Sequence, residues 1–396
     1  MLCTDREGLS RFFFTSLAVA AAIGLAGCGD SLAPNSQPPA ASFRASLVPV
    51  RSAGQNPTVT EVRLPIDGGI NVGDLAYDES RDAIWFVGAD GAGASAFRLD
   101  TNSGAIERWP LPAGSFMGFY VQVKTDAAGM LWVADGYQVV RFDRASQRSS
   151  AHAFDLRVPG ALPGALTGPS PGTWVSSIIP TDDGVIVARH NVPWLTRLDA
   201  SLAEVGRIPL PQGDEGAEDL AVIGQTIFVE RDSHSVGIPQ LDILDLEGQS
   251  VASVPGRGGR LEVVGERVLR HGHGENGVAE VEVQWVNTDG TTEAIGTGSS
   301  ASTDPRGGIT VFRPDTDHQD AVERVVDGTV VSKVRYPAQL VQLNSCPMPI
   351  APSGNSLPPS CPKAWIVFSL SDLITDRTGV TWYVTTNAQV IYRAEL

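Results

Sequence analysis

From about residue 59 onward the chain repeats one phrase: a polar residue, a short apolar strand, a Gly/Asp turn, and a strand carrying Trp or a large aliphatic residue. A third strand ending near Asp, a polar turn and a fourth strand follow. The clearest copy runs through Asp74-Leu75-Ala76-Tyr77-Asp78, Ile84-Trp85-Phe86-Val87, Phe97-Arg98-Leu99-Asp100 and Ile106-Glu107-Arg108-Trp109. The second strands map to Trp85, Trp132, Val187, Phe228, Leu269, Val311 and Trp382, most of them about 40 to 55 residues apart. Four strands per period of roughly that size mark propeller blades. A β-helix repeats over a far shorter period, and a sandwich does not repeat one phrase.

The last copy stops after its third strand, at Leu396, while Val59-Thr60-Glu61-Val62-Arg63-Leu64 reads like the fourth strands of the other copies. The prediction is an all-β fold, a β-propeller of seven four-stranded blades over residues 59–396, closed by the N-terminal strand so that no sheet end is left open. The copies around Leu269 and Val311 are weak, which keeps counts of six or eight open. Trp85, Trp132 and Trp382 take equivalent positions and read as packing between blades.

Phrases such as Asp126-Ala127-Ala128-Gly129-Met130-Leu131-Trp132-Val133-Ala134-Asp135 resemble virginiamycin B (streptogramin) lyase-like propellers and the wider group with NHL-repeat and gluconolactonase-type propellers. The resemblance covers about residues 59–396 and implies the fold. In streptogramin lyases a His and a Glu open a lactone by elimination with a divalent cation. The family's blade-start His, in a Gly-Pro-His-Gly phrase, is replaced here by Asp74 or Asp219. His273 and Glu275 match by residue type and are the catalytic candidates.

The N-terminus carries a second signal. Arg6 and Arg11 precede an apolar run from Phe12 to Leu25, too short to span a bilayer comfortably and of the length of an export-signal core. It ends in Leu25-Ala26-Gly27-Cys28, which resembles the lipobox of bacterial lipoproteins. That resemblance implies a signal peptide over residues 1–27, a lipid on Cys28, and a lipid-anchored place in the cell envelope, periplasmic or on the outer surface. Residues 28–58 are rich in Pro, Ser, Ala and Asn and read as a flexible tether. Of the four cysteines, Cys346 and Cys361 remain for a disulfide, in a Pro-rich insertion near 343–363. A loop of that size contributes roughly 3 kcal/mol on the chain-entropy model.

The formal net charge of −16 repels phosphate backbones, so nucleic acid is excluded as a general partner. Two polar sets share one face of such a ring, because the connections after the second and fourth strands leave at the same end. Asp74, Asp219 and Asp372 each stand before a Leu that begins an innermost strand. They are either turn caps between blades or a carboxylate ring for a divalent cation or basic ligand. The second set follows the second strands: Arg189 and His190, Arg231 and His234, Arg270 with His271, His273 and Glu275, and Arg313 with His318. Five of the six histidines fall in these loops, so a small anionic or carbonyl-bearing ligand is the expectation. No phosphate-binding loop, dinucleotide fingerprint, His-Glu-x-x-His or serine elbow is present. The function expected is therefore a membrane-anchored monomeric lipoprotein whose propeller binds a ligand or an envelope protein without catalysis. The alternative is a metal-assisted lyase or lactonase-type enzyme working at the channel mouth.

Overall fold

The computed structural model describes residues 35–36, 41–50, 59–64 and 74–396 except 91–92, 113–120, 144–147, 156–157, 159–172, 212–216, 232–239, 257, 273–280, 314–320, 336–369 and 386–389. All of them lie in the compact unit Pro34–Leu396. Every regular element among them is a β-strand.

The strands form seven antiparallel sheets, a seven-bladed β-propeller. Blade 1 holds Leu75–Asp78, Ala83–Asp90, Gly93–Asp100 and Ala105–Pro110. Blade 2 holds Val121–Thr125, Leu131–Asp135, Gln138–Asp143 and Arg148–Ala153. Blade 3 follows with Val175–Thr181, Gly184–Arg189, Trp194–Asp199 and Glu204–Pro209. Blade 4 is Ala217–Ile223, Thr226–Arg231, Gln240–Asp245 and Ser250–Pro255. The two weak copies are complete blades: Arg260–Val264, Arg267–His271, Val281–Val286 and Thr292–Gly298 in blade 5, then Ser300–Thr303, Ile309–Arg313, Ala321–Val326 and Thr329–Arg335 in blade 6.

Blade 7 has three strands from the C-terminal end of the chain, Leu370–Thr375, Val380–Thr385 and Val390–Glu395. Its fourth is Val59–Arg63, with Val62 opposite Ile391. The predicted closure is therefore the observed one. First strands of successive blades touch all the way round, the seventh returning to the first.

Part of the segment read as a tether is strand. Ser46–Val50 adds a fifth strand to blade 7, Ala41–Arg44 to blade 1, and Asn35–Ser36 to blade 2. The reason is a short alternating pattern hidden in a Pro- and Ser-rich composition. Phe43 and Ala45 turn onto the apolar seam between blades 1 and 7, which also takes Leu64. Residues 1–34, with Cys28, lie outside the described residues, as do Cys346 and Cys361.

Between blades the core is apolar. Trp85, Trp132 and Trp382 are buried, and each indole N–H donates to an Asp beside the first turn of its blade: Asp78 at 3.4 Å, Asp126 at 3.0 Å and Asp376 at 2.9 Å. Asp376 also accepts from the amides of Thr378 and Val380. The turn it caps passes through Gly379 at φ 82°, where a Cβ would also run into Arg306. One carboxylate thus fixes both the hairpin and the large core ring behind it.

Candidate functional site

The first strands surround a central channel of about 610 Å³, to which all seven blades contribute lining residues. Its wall is organised by one recurring contact. In each blade a first-strand side chain accepts a hydrogen bond from a backbone N–H of the next blade. Asp74 Oδ2 accepts from Val123 at 2.7 Å, Gln122 Oε1 from Ile178 at 3.0 Å, and Ser177 Oγ from Leu220 at 3.1 Å. Asp219 Oδ2 accepts from Leu261 at 2.9 Å, Glu262 Oε2 from Thr303 at 3.2 Å, and Ser302 Oγ from Thr375 at 3.2 Å. Asp372 Oδ2 closes the circuit on Leu75 at 2.7 Å. First strands are innermost and pair on one edge only, so these amides have no strand partner there and must be satisfied otherwise.

Blade 5 departs from the pattern. Arg260 occupies the position before the first aliphatic residue, where Asp74 and Asp219 stand in their blades, and an Arg has no acceptor. Glu262, two residues on and on the same face, takes over the bond to blade 6, reinforced by the Thr303 hydroxyl at 2.7 Å. Arg260 instead reaches across the channel to blade 1, with Nη1 3.8 Å from Asp74 Oδ1. Lys124 also lines the channel. It is two residues after Gln122, so strand alternation puts both on the lumen side. Gln122 confirms the direction by donating from Nε2 to Asp219 Oδ1 across blade 3, at 3.3 Å.

The charges are strongly perturbed. Burial, and then the facing Asp372 carboxylate, push Asp74 up to about 8, against the pull of Arg260 and Lys124. Burial acts on Asp219 too. There Lys124, Arg260, the Ser177 hydroxyl and the Leu261 amide win and hold it below the usual carboxylate range. Burial raises Glu262 despite its bonds from Thr303. Arg260 is raised further into its charged form: burial opposes this, and Asp74, Asp219 and Asp372 outweigh it. His271 borders the channel and burial pushes it down to about 4, so it is neutral at pH 7, with Nδ1 donating to the Gly272 carbonyl at 2.9 Å.

A pH test follows from Asp74. Unfolded, an Asp titrates near 3.9, so between about 4 and about 8 the folded chain keeps a proton that the unfolded chain has released. This contribution to stability is whole at the acid end and is lost as the pH climbs through the folded value. Asp74→Asn keeps the neutral shape and is expected to escape that loss. Its melting temperature relative to the parent should climb steadily from about pH 5 to about pH 8. Parallel melting curves for the two chains across that range would sink the assignment.

Of the described members of the predicted Arg and His set, only His271 lines this channel. Three of the four arginines, Arg189, Arg231 and Arg270, fasten the segment that enters their own blade. Arg189 donates from Nε to Thr173 O at 3.0 Å and from Nη2 to Asp155 O at 2.6 Å, over the Phe154 ring. Arg231 donates to Pro211 O at 2.7 Å and pairs with Asp242 at 3.2 Å. Arg270 grips Glu230 and the carbonyls of Pro255 and Gly256. Arg313 pairs with Glu323 at 3.0 Å, and His190 stacks on Trp174 with ring centres 4.3 Å apart. His234, His273, Glu275 and His318 lie outside the described residues. Asp74, Asp219 and Asp372 each give one oxygen to an amide of a neighbouring blade, and Arg260 comes within 3.8 Å of Asp74. Among the described residues no group of three His, Cys, Asp or Glu side chains is placed to hold a metal ion.

Comparison with known proteins supports the architecture. No family model and no curated protein sequence matches the chain. Among solved structures it is similar to a streptogramin B lyase, with 11% identity and a TM-score of 0.58 over 85% of this chain and 97% of that one. It is also similar to an oligogalacturonate lyase in complex with manganese, with 12% identity and a TM-score of 0.59 over 90% and 98% of the two chains. The WD40 domain of Neurospora crassa Pan2 matches with 11% identity and a TM-score of 0.52, over 82% and 88%. At such identities the likeness establishes the propeller and nothing of the chemistry.

Proposed function

We propose that this protein is a binding propeller of the bacterial cell envelope, anchored through a lipid on Cys28, whose ligand or partner is met at the central channel and its mouth. One observation carries the reading: a channel of about 610 Å³ walled by charged side chains that the blade seams hold in fixed positions. Pre-organised polar groups in a cavity of that size are the make-up of a recognition site. The anchor rests on the lipobox-like Leu25-Ala26-Gly27-Cys28.

Thermal melting of the purified protein in a fractionated envelope extract tests the binding role. A ligand at about a hundred times its Kd adds about 2.7 kcal/mol and moves the transition clearly. A flat response to every fraction counts against it. Labelling growing cells with radioactive palmitate tests the anchor: the parent should take up label and Cys28→Ser should not, and equal labelling of both removes it.

The channel is proposed to work without a divalent cation. Metal analysis of the purified protein is expected to find none in stoichiometric amount, and a chelator should leave the melting temperature unchanged. Bound Ca, Mg or Zn that disappears on changing Asp74, Asp219 and Asp372 would instead favour the lyase or lactonase reading.

A further inference from the structure

We propose that residues 35–50 are a belt rather than a tether, and that with the lipid on Cys28 they hold the outer rim of blades 2 and 3 against the lipid surface that carries the anchor. This rests on the anchor reading above and adds which side of the propeller meets the membrane.

The outer edges of the blades fall into two kinds. In blades 3, 4, 5 and 6 the fourth strand is bulged: its register against the third strand skips Val205, Val251, Ile295 and Val331 in turn. A bulge twists an edge away from regular pairing and so blunts it. The fourth strands of blades 1, 2 and 7 run in unbroken register. These are the three that carry a fifth strand from the N-terminal segment, Ala41–Arg44, Asn35–Ser36 and Ser46–Val50. Regular edges stand where the segment pairs, and bulged edges where, among the described residues, nothing does. That match marks the belt as a built part of the fold. Ala45 carries it from blade 1 to blade 7, donating its N–H to Gly104 O at 3.0 Å.

The belt shortens the leash. A free chain over residues 28–58 stretches beyond about 100 Å, enough to offer the membrane any side of the ring. With Asn35 paired to Ser149 at the edge of blade 2, only seven residue steps remain to Cys28, about 15 Å as a coil and about 25 Å at full stretch. Each blade stacks its strands about 4.8 Å apart around the channel, so the rims of blades 5 and 6 lie roughly 40 Å beyond that of blade 2. The ring therefore hangs by blade 2.

Charge then sets the tilt. An anionic lipid surface repels the channel, whose lining holds seven carboxylates against three cations. It repels blade 4 as well, where residues 212–255 carry nine acidic side chains and one basic. Blades 2 and 3 are balanced, with eight of each over residues 121–211, and Arg148 and Arg207 are exposed on their fourth strands. The rim of blades 2 and 3 is thus turned to the lipid, the channel axis runs along the surface, and both mouths stay open to a ligand.

Photo-cross-linking of the lipidated full-length protein tests this. The probe is a phospholipid with a photoreactive headgroup in vesicles of phosphatidylethanolamine and phosphatidylglycerol, read by peptide mass spectrometry. Arg148–Ala153 and Glu204–Pro209 are expected to label at least several-fold more than Thr292–Gly298 and Thr329–Arg335. A Gly/Ser insert of about twenty residues between Pro34 and Asn35 leaves the blades untouched and lengthens the leash, so labelling of the first two strands should drop several-fold. Labelling spread evenly over the four strands in the parent, or unchanged by the insert, overturns the proposal. Amide exchange over Ala41–Arg44 as fast as in an unfolded chain overturns it too. If palmitate labelling finds no lipid on Cys28, the anchor and this inference fall together. If the lipid is there and the cross-linking is even, only this inference falls.

Discussion

Arg270→Met is expected to lower the stability of the propeller by about 3–5 kcal/mol, the loss typical of breaking a buried ion pair from one side. Arg270 and Glu230 are both fully buried, one on the second strand of blade 5 and the other on the second strand of blade 4. The guanidinium meets the carboxylate with two parallel bonds, Nε to Oε2 at 2.8 Å and Nη2 to Oε1 at 2.7 Å. Its remaining donors reach Gly256 O at 2.6 Å and Pro255 O at 3.4 Å, so the chain entering blade 5 is fixed by the same group. Gly258 passes so close that a Cβ there would sit 2.5 Å from Arg270 Nε and 2.7 Å from the Glu230 carboxylate.

Without Arg270 the carboxylate stays buried with its main partner gone. Burial already raises Glu230 above the ordinary range even with Arg270 present. The variant should therefore hold Glu230 protonated, and its deficit should shrink as the pH falls. Urea unfolding at two pH values checks both statements. Glu230→Gln combined with Arg270→Met should recover part of the loss, because no buried charge is then left over. A single variant within about 1 kcal/mol of the parent would mean that the pair does not hold these blades together.

Arg270 also shows where sequence reasoning succeeds and where it stops. Blade number was legible because each blade repeats the same order of apolar strands and turn residues, and closure was legible because one copy lacked its last strand. The copies around Leu269 and Val311 read weakly for a physical reason. Their first strands carry Arg260 and Glu262 or the small Ser300-Ala301-Ser302, so the usual polar-then-aliphatic start is blurred. The alternation in Ala41–Arg44 and Ser46–Val50 was masked by the Pro and Ser around it.

The site was harder to read. Asp74, Asp219 and Asp372 were recognisable as blade-start carboxylates, but their bonds go to first-strand amides of the next blade rather than to a turn. The clustering of Arg and His after second strands was real, yet Arg189, Arg231 and Arg270 serve the chain entering their blades and Arg313 pairs within its own. An Arg at a strand end looks the same in sequence whether its donors face a ligand or a nearby carbonyl. Lys124 carried no signal at all. Val121-Gln122-Val123 was legible as a first strand, but only pairing in three dimensions shows that it runs on to Thr125 and that Gln122 and Lys124 share its lumen face.

Val62→Asp is expected to open the ring, at a cost of about 4 kcal/mol or more. Val62 is fully buried at the middle of the strand that closes blade 7, opposite Ile391 on one side and Leu47 on the other. Its side chain packs in the apolar seam formed by Leu75, Ile84, Phe86, Trp382, Val384 and Ile391, which a carboxylate would have to enter. The substitution therefore acts on two blades at once: it loosens Val59–Arg63 from blade 7 and parts the apolar contact with blade 1. The strand Val390–Glu395 would then present an unpaired edge, a template for pairing with other chains, so aggregation should accompany the loss. Arg63→Ala on the same strand is the control. Arg63 is exposed and its bond to Glu61 at 3.0 Å is a solvent-screened surface pair, so its loss should leave stability close to the parent's. Urea unfolding with limited proteolysis reads the outcome. Early cleavage between blades 7 and 1 in Val62→Asp, with Arg63→Ala as resistant as the parent, is the pattern required of a propeller held shut by this strand.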